Sequence, residues 1–284
     1  MHVRIATCKQ LPEPDIDEAL LLDALVARGL RPRMVAWDDP TADWDAPIPT
    51  VIRSTWNYIH DLGAFVAWVE RAARAAPVWN PVDVVQWNAH KSYLVELADR
   101  RCPVVPTAFY ARGAVVEDLA ADLVARGFGD VVIKPTVSAG SFHTRRFAAT
   151  PAERAEAQTF LRTLLGERDV MVQAYVPSVE TYGERSLVWI DGEFTHAIRK
   201  SPRFSGQDES VSGPHPIAAD ERRLAEDALA PWAERLLYAR VDMAQDAAGK
   251  PMIMELELIE PSLFLLQHPP ALERLTAAIL SRAG

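Results

Sequence analysis

Three acidic side chains late in the sequence, Asp242, Glu255 and Glu257, have the type and spacing for metal chemistry. They lie in RVDMAQDAAGKPMIMELELI, two strand-like runs joined by a QDAAGK turn. Side chains alternate along a strand, so Glu255 and Glu257 share a face and Asp242 lies on the neighbouring strand, while Val241, Met243, Met254, Leu256 and Leu258 point into a core. Bare carboxylates this close repel one another. A divalent cation removes that penalty, and an all-oxygen donor set selects Mg2+ or Mn2+ over zinc. The same pattern equally suits a solvated polar face balanced by Arg240 and Lys250.

Other pieces are weaker alone. In VVIKPTVSAGSF, Lys134 ends an apolar strand and precedes a loop holding Ser138, Gly140 and Ser141. Small residues let backbone N–H groups approach phosphate oxygens, and the lysine adds a point charge. An ordinary hairpin with an exposed lysine fits as well, and the P-loop spacing is missing. In MVQAYVPSVE, the strand edge Gln173, Ala174, Tyr175 and Val176 could meet an adenine, with Glu180 or Glu184 at ribose hydroxyls, or could be a buried strand leaving the core. Lys91 opens a helix, and Arg185, Arg199, Lys200 and Arg203 form either a solvated face or clamps on phosphate charge. His143, His196 and His215 share no metal-ligand spacing, and no GxSxG elbow is present.

The elements that must position these groups fall into three stretches. Residues 1–88 alternate strand and helix signals (HVRIATC, DIDEALLLDALVARG, RPRMVAW, PTVIRST, GAFVAWVERAARAA), the pattern of a parallel α/β domain. Residues 89–172 read as a central α+β lobe with helices at HKSYLVELADRR, AVVEDLAADLVARGF and PAERAEAQTFLRTLLGE and a hairpin at DVVIKPTVSAGSFHTRRFAAT. Residues 173–284 hold a hairpin turning at Asp191-Gly192, a long helix ADERRLAEDALAPWAERL, the acidic hairpin and a closing helix. The chain's 284 residues are 49% hydrophobic, enough for a sizeable core. A net charge of -9 argues against sequence-independent nucleic-acid binding. No run approaches a membrane span, no secretory signal opens the chain, and two cysteines cannot build a disulfide scaffold, so a cytoplasmic setting is expected.

Taken in order, NAHKSYL, VVIKP with its small-residue loop, VQAYV, GERS, RVD and ELE resemble the ATP-grasp ligases over roughly residues 85–262. The layout is similar to glutathione synthetase-like and D-alanine–D-alanine ligase-like members. The resemblance implies an ATP-grasp fold: an N-terminal parallel α/β domain (1–88), a central lid lobe (89–172) and a C-terminal antiparallel-sheet lobe with the metal site (173–284). It implies Lys91 and Lys134 as ATP-phosphate lysines, Gln173 to Val176 as the adenine hinge, and Asp242, Glu255 and Glu257 as ligands of Mg2+. The implied site holds two Mg2+ ions; many members carry Asn at the position of Glu257, which bears on the second metal, and LIEPSLFL stands where dipeptide ligases have TSPG, so the substrate end differs. IRSTWNY, GERSLVWIDGEFTHAIRKSP, SGPHPI and ELELIEPSLFL resemble the subgroup containing the O-ureido-D-serine cyclo-ligase of cycloserine biosynthesis.

The implied chemistry is transfer of the ATP γ-phosphoryl to a carboxylate, then attack by nitrogen on the acyl phosphate. Arg185 and Lys200 are the candidates for stabilising that intermediate, behind a lid that excludes water. Arg53, Ser54, Trp56, Asn57 and Tyr58 follow a parallel strand at its carboxyl end, where open sheets bind ligands, and with Ser262 are the candidate contacts of a small amino-acid-like substrate. Interdomain packing also suits Trp56 and Tyr58. The resemblance allows a homodimer. The rival readings are a non-catalytic ATP-grasp nucleotide binder and a peptide or amino-acid ligase of another natural-product pathway.

Overall fold

Alternating short apolar runs and amphipathic stretches build three sheets in succession. A computed structural model describes residues 1–201 and 210–284. The first stretch comprises β1 (His2–Thr7), α1 (Glu18–Ala27), β2 (Arg31–Ala36), β3 (Thr50–Ile52), a 3-10 turn Trp56–His60, α2 (Leu62–Ala75) and β4 (Val78–Trp79). Its strands form a parallel sheet in the order β2-β1-β3-β4. In α2, Asp61 caps the first turn through Ala64 N–H, and Phe65, Trp68, Val69 and Ala72 form the buried stripe.

The middle holds α3 (Val82–Asn88), α4 (Tyr93–Asp99), β5 (Thr107–Tyr110), α5 (Leu119–Ala125), β6 (Val131–Pro135), β7 (Arg145–Phe147), α6 (Pro151–Leu165) and β8 (Val170–Ala174). The strands make an antiparallel sheet ordered β5-β8-β6-β7, with Leu119, Leu123, Leu161 and Leu164 of α5 and α6 packed on it. The last third comprises α7 (Ser178–Thr181), β9 (Glu184–Ile190), β10 (Glu193–Lys200), β11 (Val211–His215), α8 (Ala219–Leu229), β12 (Tyr238–Gln245), β13 (Pro251–Glu257) and α9 (Pro269–Ala283). Its antiparallel sheet runs β11-β10-β9-β12-β13.

This is the expected mixture of a parallel α/β sheet with two α+β sheets, differing in detail. β5 and β4 are strands that the sequence reading does not anticipate. The long helix expected through residue 236 stops at Leu229, because Pro231 cannot continue the ladder. The line drawn between residues 172 and 173 falls inside β8. Tyr93, Leu94 and Leu97 of α4 pack with Leu187, Val241 and Leu256 of the C-terminal sheet. Among the described residues no helix is long and apolar enough to cross a membrane. Arg203 lies outside the described residues.

β13 is an edge strand, and side chains close its outer rim. The Asn88 amide donates to the Leu256 carbonyl (3.0 Å) and accepts from Leu258 N–H (2.8 Å). The Tyr93 hydroxyl donates to the Leu256 carbonyl (2.9 Å) and accepts from its N–H (3.0 Å). Further along the rim, Ile253 N–H donates to the Pro103 carbonyl (2.8 Å) and the Ile253 carbonyl accepts from Val105 N–H (2.9 Å), so side chains and a single backbone bridge together satisfy the buried groups.

Candidate active site

The three sheets enclose a cleft of about 760 Å³. Its charged floor follows from alternation on β12 and β13. Register pairs Asp242 with Glu255 and Arg240 with Glu257, so these four side chains share a face. β6 brings Lys134 across, and the turn before α4 brings Lys91. Glu255 takes both: Lys91 Nζ lies 2.9 Å from one oxygen and Lys134 Nζ 3.1 Å from the other. Lys91 also donates to the Ser138 carbonyl (2.8 Å), tying the small-residue loop to the acidic strand. Burial would raise the Glu255 carboxyl, but Lys134 and Lys91 hold it at about 2.

Asp242 is held by a different pair. Arg240 donates two hydrogen bonds to it (2.9 and 2.8 Å), and Lys200 Nζ lies 3.2 Å away. Lys200 also pairs with Glu184, and Arg240 with Glu257. Burial pushes the Glu257 carboxyl up to about 7 despite Arg240, with Asp242 and Glu255 adding to the rise. The donors fit Mg2+ in kind: three carboxylates on one face of neighbouring strands. In arrangement each carboxylate leans on a cation, and among the described residues no three acidic, His or Cys side chains gather as a ligand set.

The cleft collects most of the candidates: Lys91, Lys134, Ser138, Gly140, Ser141, the Gln173–Val176 edge, Glu184, Lys200, Asp242, Glu255, Glu257, Trp56, Asn57 and Ser262 all line it. The Ala174 and Tyr175 amides already donate to the Pro106 and Asp130 carbonyls (2.9 and 2.8 Å), which removes these two N–H groups from any adenine edge.

Four candidates do not line the cleft. Alternation along β9 sends Arg185 to the face opposite Glu184, where it donates to Glu221 of α8 (3.0 and 3.2 Å) and to the Pro216 carbonyl (2.6 Å). Arg240, read in the sequence only as a balancing charge, takes the place expected of Arg185. Glu180 accepts from Tyr175 (2.6 Å) and Arg146 (2.7 Å) outside the cleft. Ser54 is buried and its hydroxyl meets that of Thr7 at 2.9 Å. Arg53 is buried over the Tyr238 ring and donates to the Pro261 carbonyl (2.9 Å).

Sequence reasoning missed Glu260. It lines the cleft, and burial, reinforced by Glu257, pushes its carboxyl up to about 8. Its signal was its place just after the acidic strand, in the LIEPSLFL segment that departs from dipeptide ligases.

Sheet order and the lysine-lined acidic cleft define an ATP-grasp enzyme, an ATP-dependent ligase that forms C–N bonds. The ATP-grasp ligase PsnB, solved with a minimal precursor, Mg and ADP, shares the fold at a TM-score of 0.64 and 18% identity over 98% of this chain and 96% of that one. Residues 3–80 match the family described as the D-cycloserine synthetase DcsG N-terminal domain. The cycloserine biosynthesis protein DcsG of Streptomyces lavendulae is 33% identical over 286 residues, covering 94% of each chain. The crystal structure of D-cycloserine synthetase DcsG matches at a TM-score of 0.88 and 30% identity over 100% of both chains. The chain belongs to the DcsG family.

Proposed function

We propose that this chain is an ATP- and Mg2+-dependent cyclo-ligase that closes a small amino-acid-like substrate, with O-ureido-D-serine giving D-cycloserine as the specific reaction. The observation that carries this reading is the cleft in which Lys91 and Lys134 converge on Glu255 beside Asp242, Arg240 and Lys200. The family relationship over the whole chain supplies the substrate class.

In this reading Lys91 and Lys134, which converge on Glu255, bind the ATP phosphates. The Gln173–Val176 edge and Glu184 border the nucleoside. Asp242, Glu255 and Glu257 are the residues that would hold Mg2+, which supplies neutralisation of the triphosphate and of the charge developing on the transferred phosphoryl group. Lys200 and Arg240 face the substrate carboxylate. That carboxylate takes the γ-phosphoryl group and ADP leaves. The ureido nitrogen of the same molecule then attacks the carbonyl carbon: the C–N bond forms, the C–O bond to phosphate breaks, the nitrogen gives up its proton, and water then takes the carbamoyl group off that nitrogen as carbamate, which breaks down to CO2 and ammonia. Ser138, Gly140 and Ser141 border the reacting end and keep water from the acyl phosphate.

ADP release by the purified chain with ATP, Mg2+ and O-ureido-D-serine, compared with its L-isomer, other amino acids and dipeptides, tests the reading. Release dependent on the D-isomer with formation of the ring product is expected. ADP release with none of these compounds would overturn it.

A further inference from the structure

One carboxyl in the cleft stands apart from the others. Glu184, Asp242, Glu255 and Glu257 each meet a lysine or arginine. Glu260 meets none among the described residues, although it is only 9% exposed. The hydroxyl of buried Tyr58 is near enough to favour its charged form. A buried acid without a cation is costly unless the site exists to receive one.

The segment carrying it is fixed residue by residue. The Ile259 carbonyl accepts from the Tyr238 hydroxyl at 2.9 Å. The Glu260 carbonyl accepts from the Trp56 indole at 3.1 Å, and the Pro261 carbonyl from Arg53 at 2.9 Å. The single Tyr238 proton is shared with the Ile52 and Trp79 carbonyls, so the Trp56 and Arg53 donors are the ones that hold the carbonyls of residues 260 and 261 and leave the Glu260 carboxyl lining the cleft. Glu13, another acid on the lining, is by contrast exposed at the mouth. A side chain preorganised in this way can bind a charged group without further ordering cost.

We propose that Glu260 is the specificity-determining anchor for the ammonium group of the amino-acid substrate, with Tyr58 on the carboxyl and with Arg53 and Trp56 as its positioning residues. The inference rests on the reading above and deepens it. An ammonium supplies the cation that Glu260 lacks. With the amine held there, the substrate carboxylate is directed toward Lys200 and Arg240, and the orientation of the molecule in the cleft is set. Arg53 and Trp56, expected from sequence to touch substrate, act through the backbone of residues 260 and 261 instead.

The test compares wild type with Glu260→Gln and Glu260→Asp on two compounds, O-ureido-D-serine and its deamino counterpart, by steady-state ADP release. Glu260→Gln raises KM for the amino compound by about 10–100-fold, the scale of a lost charged hydrogen bond, with a much smaller change for the deamino compound. Glu260→Asp falls between Gln and wild type. ATP with Mg2+ must raise the melting temperature of every variant as it does that of wild type, which separates a lost anchor from a lost fold. Equal KM changes for both compounds, or an unchanged KM for the amino compound, would overturn the anchor and leave the ligase reading standing. If wild type releases ADP with no α-amino compound, the ligase reading fails and the anchor fails with it.

Discussion

The two ends of one cleft are built on opposite electrostatic terms. At the end assigned above to the nucleotide, Glu255 meets two lysines, which hold its carboxyl down at about 2. At the end assigned above to the substrate, Glu260 forms no ion pair with a lysine or arginine among the described residues, and burial pushes its carboxyl up to about 8. Both acids line the cleft a few residues apart on the same stretch of chain, Glu255 half-buried and Glu260 buried, and burial raises the carboxyl of each, so burial alone does not set their behaviour. Neighbours brought by other sheets do. The first end is stable as it stands; the second is left open for a ligand to complete.

The largest effect should come from breaking the nucleotide end. If Lys134 binds ATP phosphate as proposed, Lys134→Ala should slow ADP release by about 10³-fold, roughly 4 kcal/mol of barrier, in single-turnover assays.

Next comes a pair of isosteric changes with opposite signs. Glu255 has a folded value below the ordinary 4.5, so its contribution to stability is present above pH 4.5 and is lost as pH falls toward 2. Glu255→Gln should therefore cost roughly 3 kcal/mol at pH 7. Glu260 has a folded value above 4.5, so it erodes stability as pH rises from 4.5 toward 8. Glu260→Gln should gain roughly 3 kcal/mol at pH 7 and nothing at pH 4.5. Urea denaturation of the three proteins at pH 4.5 and 7 measures both; equal signs would erase the contrast between the ends.

A smaller effect separates the cleft from the sheet's other face. Replacing the buried pair together, Arg185→Met with Glu221→Leu, should leave kcat within about threefold and change stability by only about 1 kcal/mol, because apolar side chains of similar volume substitute well for such a pair. The smallest belongs to the surface of the central lobe. Arg145, half exposed beside Glu156, should tolerate Ala at less than about 0.5 kcal/mol by thermal melting.

Much of this site could be read from local patterns. Turn residues and period-two alternation place Glu255 and Glu257 together, and the order of the lysine strand, small-residue loop and acidic hairpin follows chain order. The same alternation puts Arg240 on the face of Asp242, so that signal was present and unused. Arg185 could not be placed this way. Alternation separates it from Glu184 but does not say which face α8 covers, and that is decided by Leu224, Ala225 and Ala228 packing on the sheet. The roles of Arg53 and Glu260 depend on contacts across more than 200 residues, as in the Arg53 bond to Pro261, and no local pattern encodes them.

The side chains that close the rim of β13 have a consequence for assembly. Asn88 and Tyr93 flank Lys91 in sequence, and both grip Leu256 between the two glutamates. Sliding β13 by one position would swing both glutamates away from the lysines and turn Leu256 toward solvent, and it would strand four hydrogen bonds at once. The short stretch that delivers Lys91 to Glu255 thus also acts as the ruler against which the acidic strand is measured during folding, so that misthreaded chains are penalised.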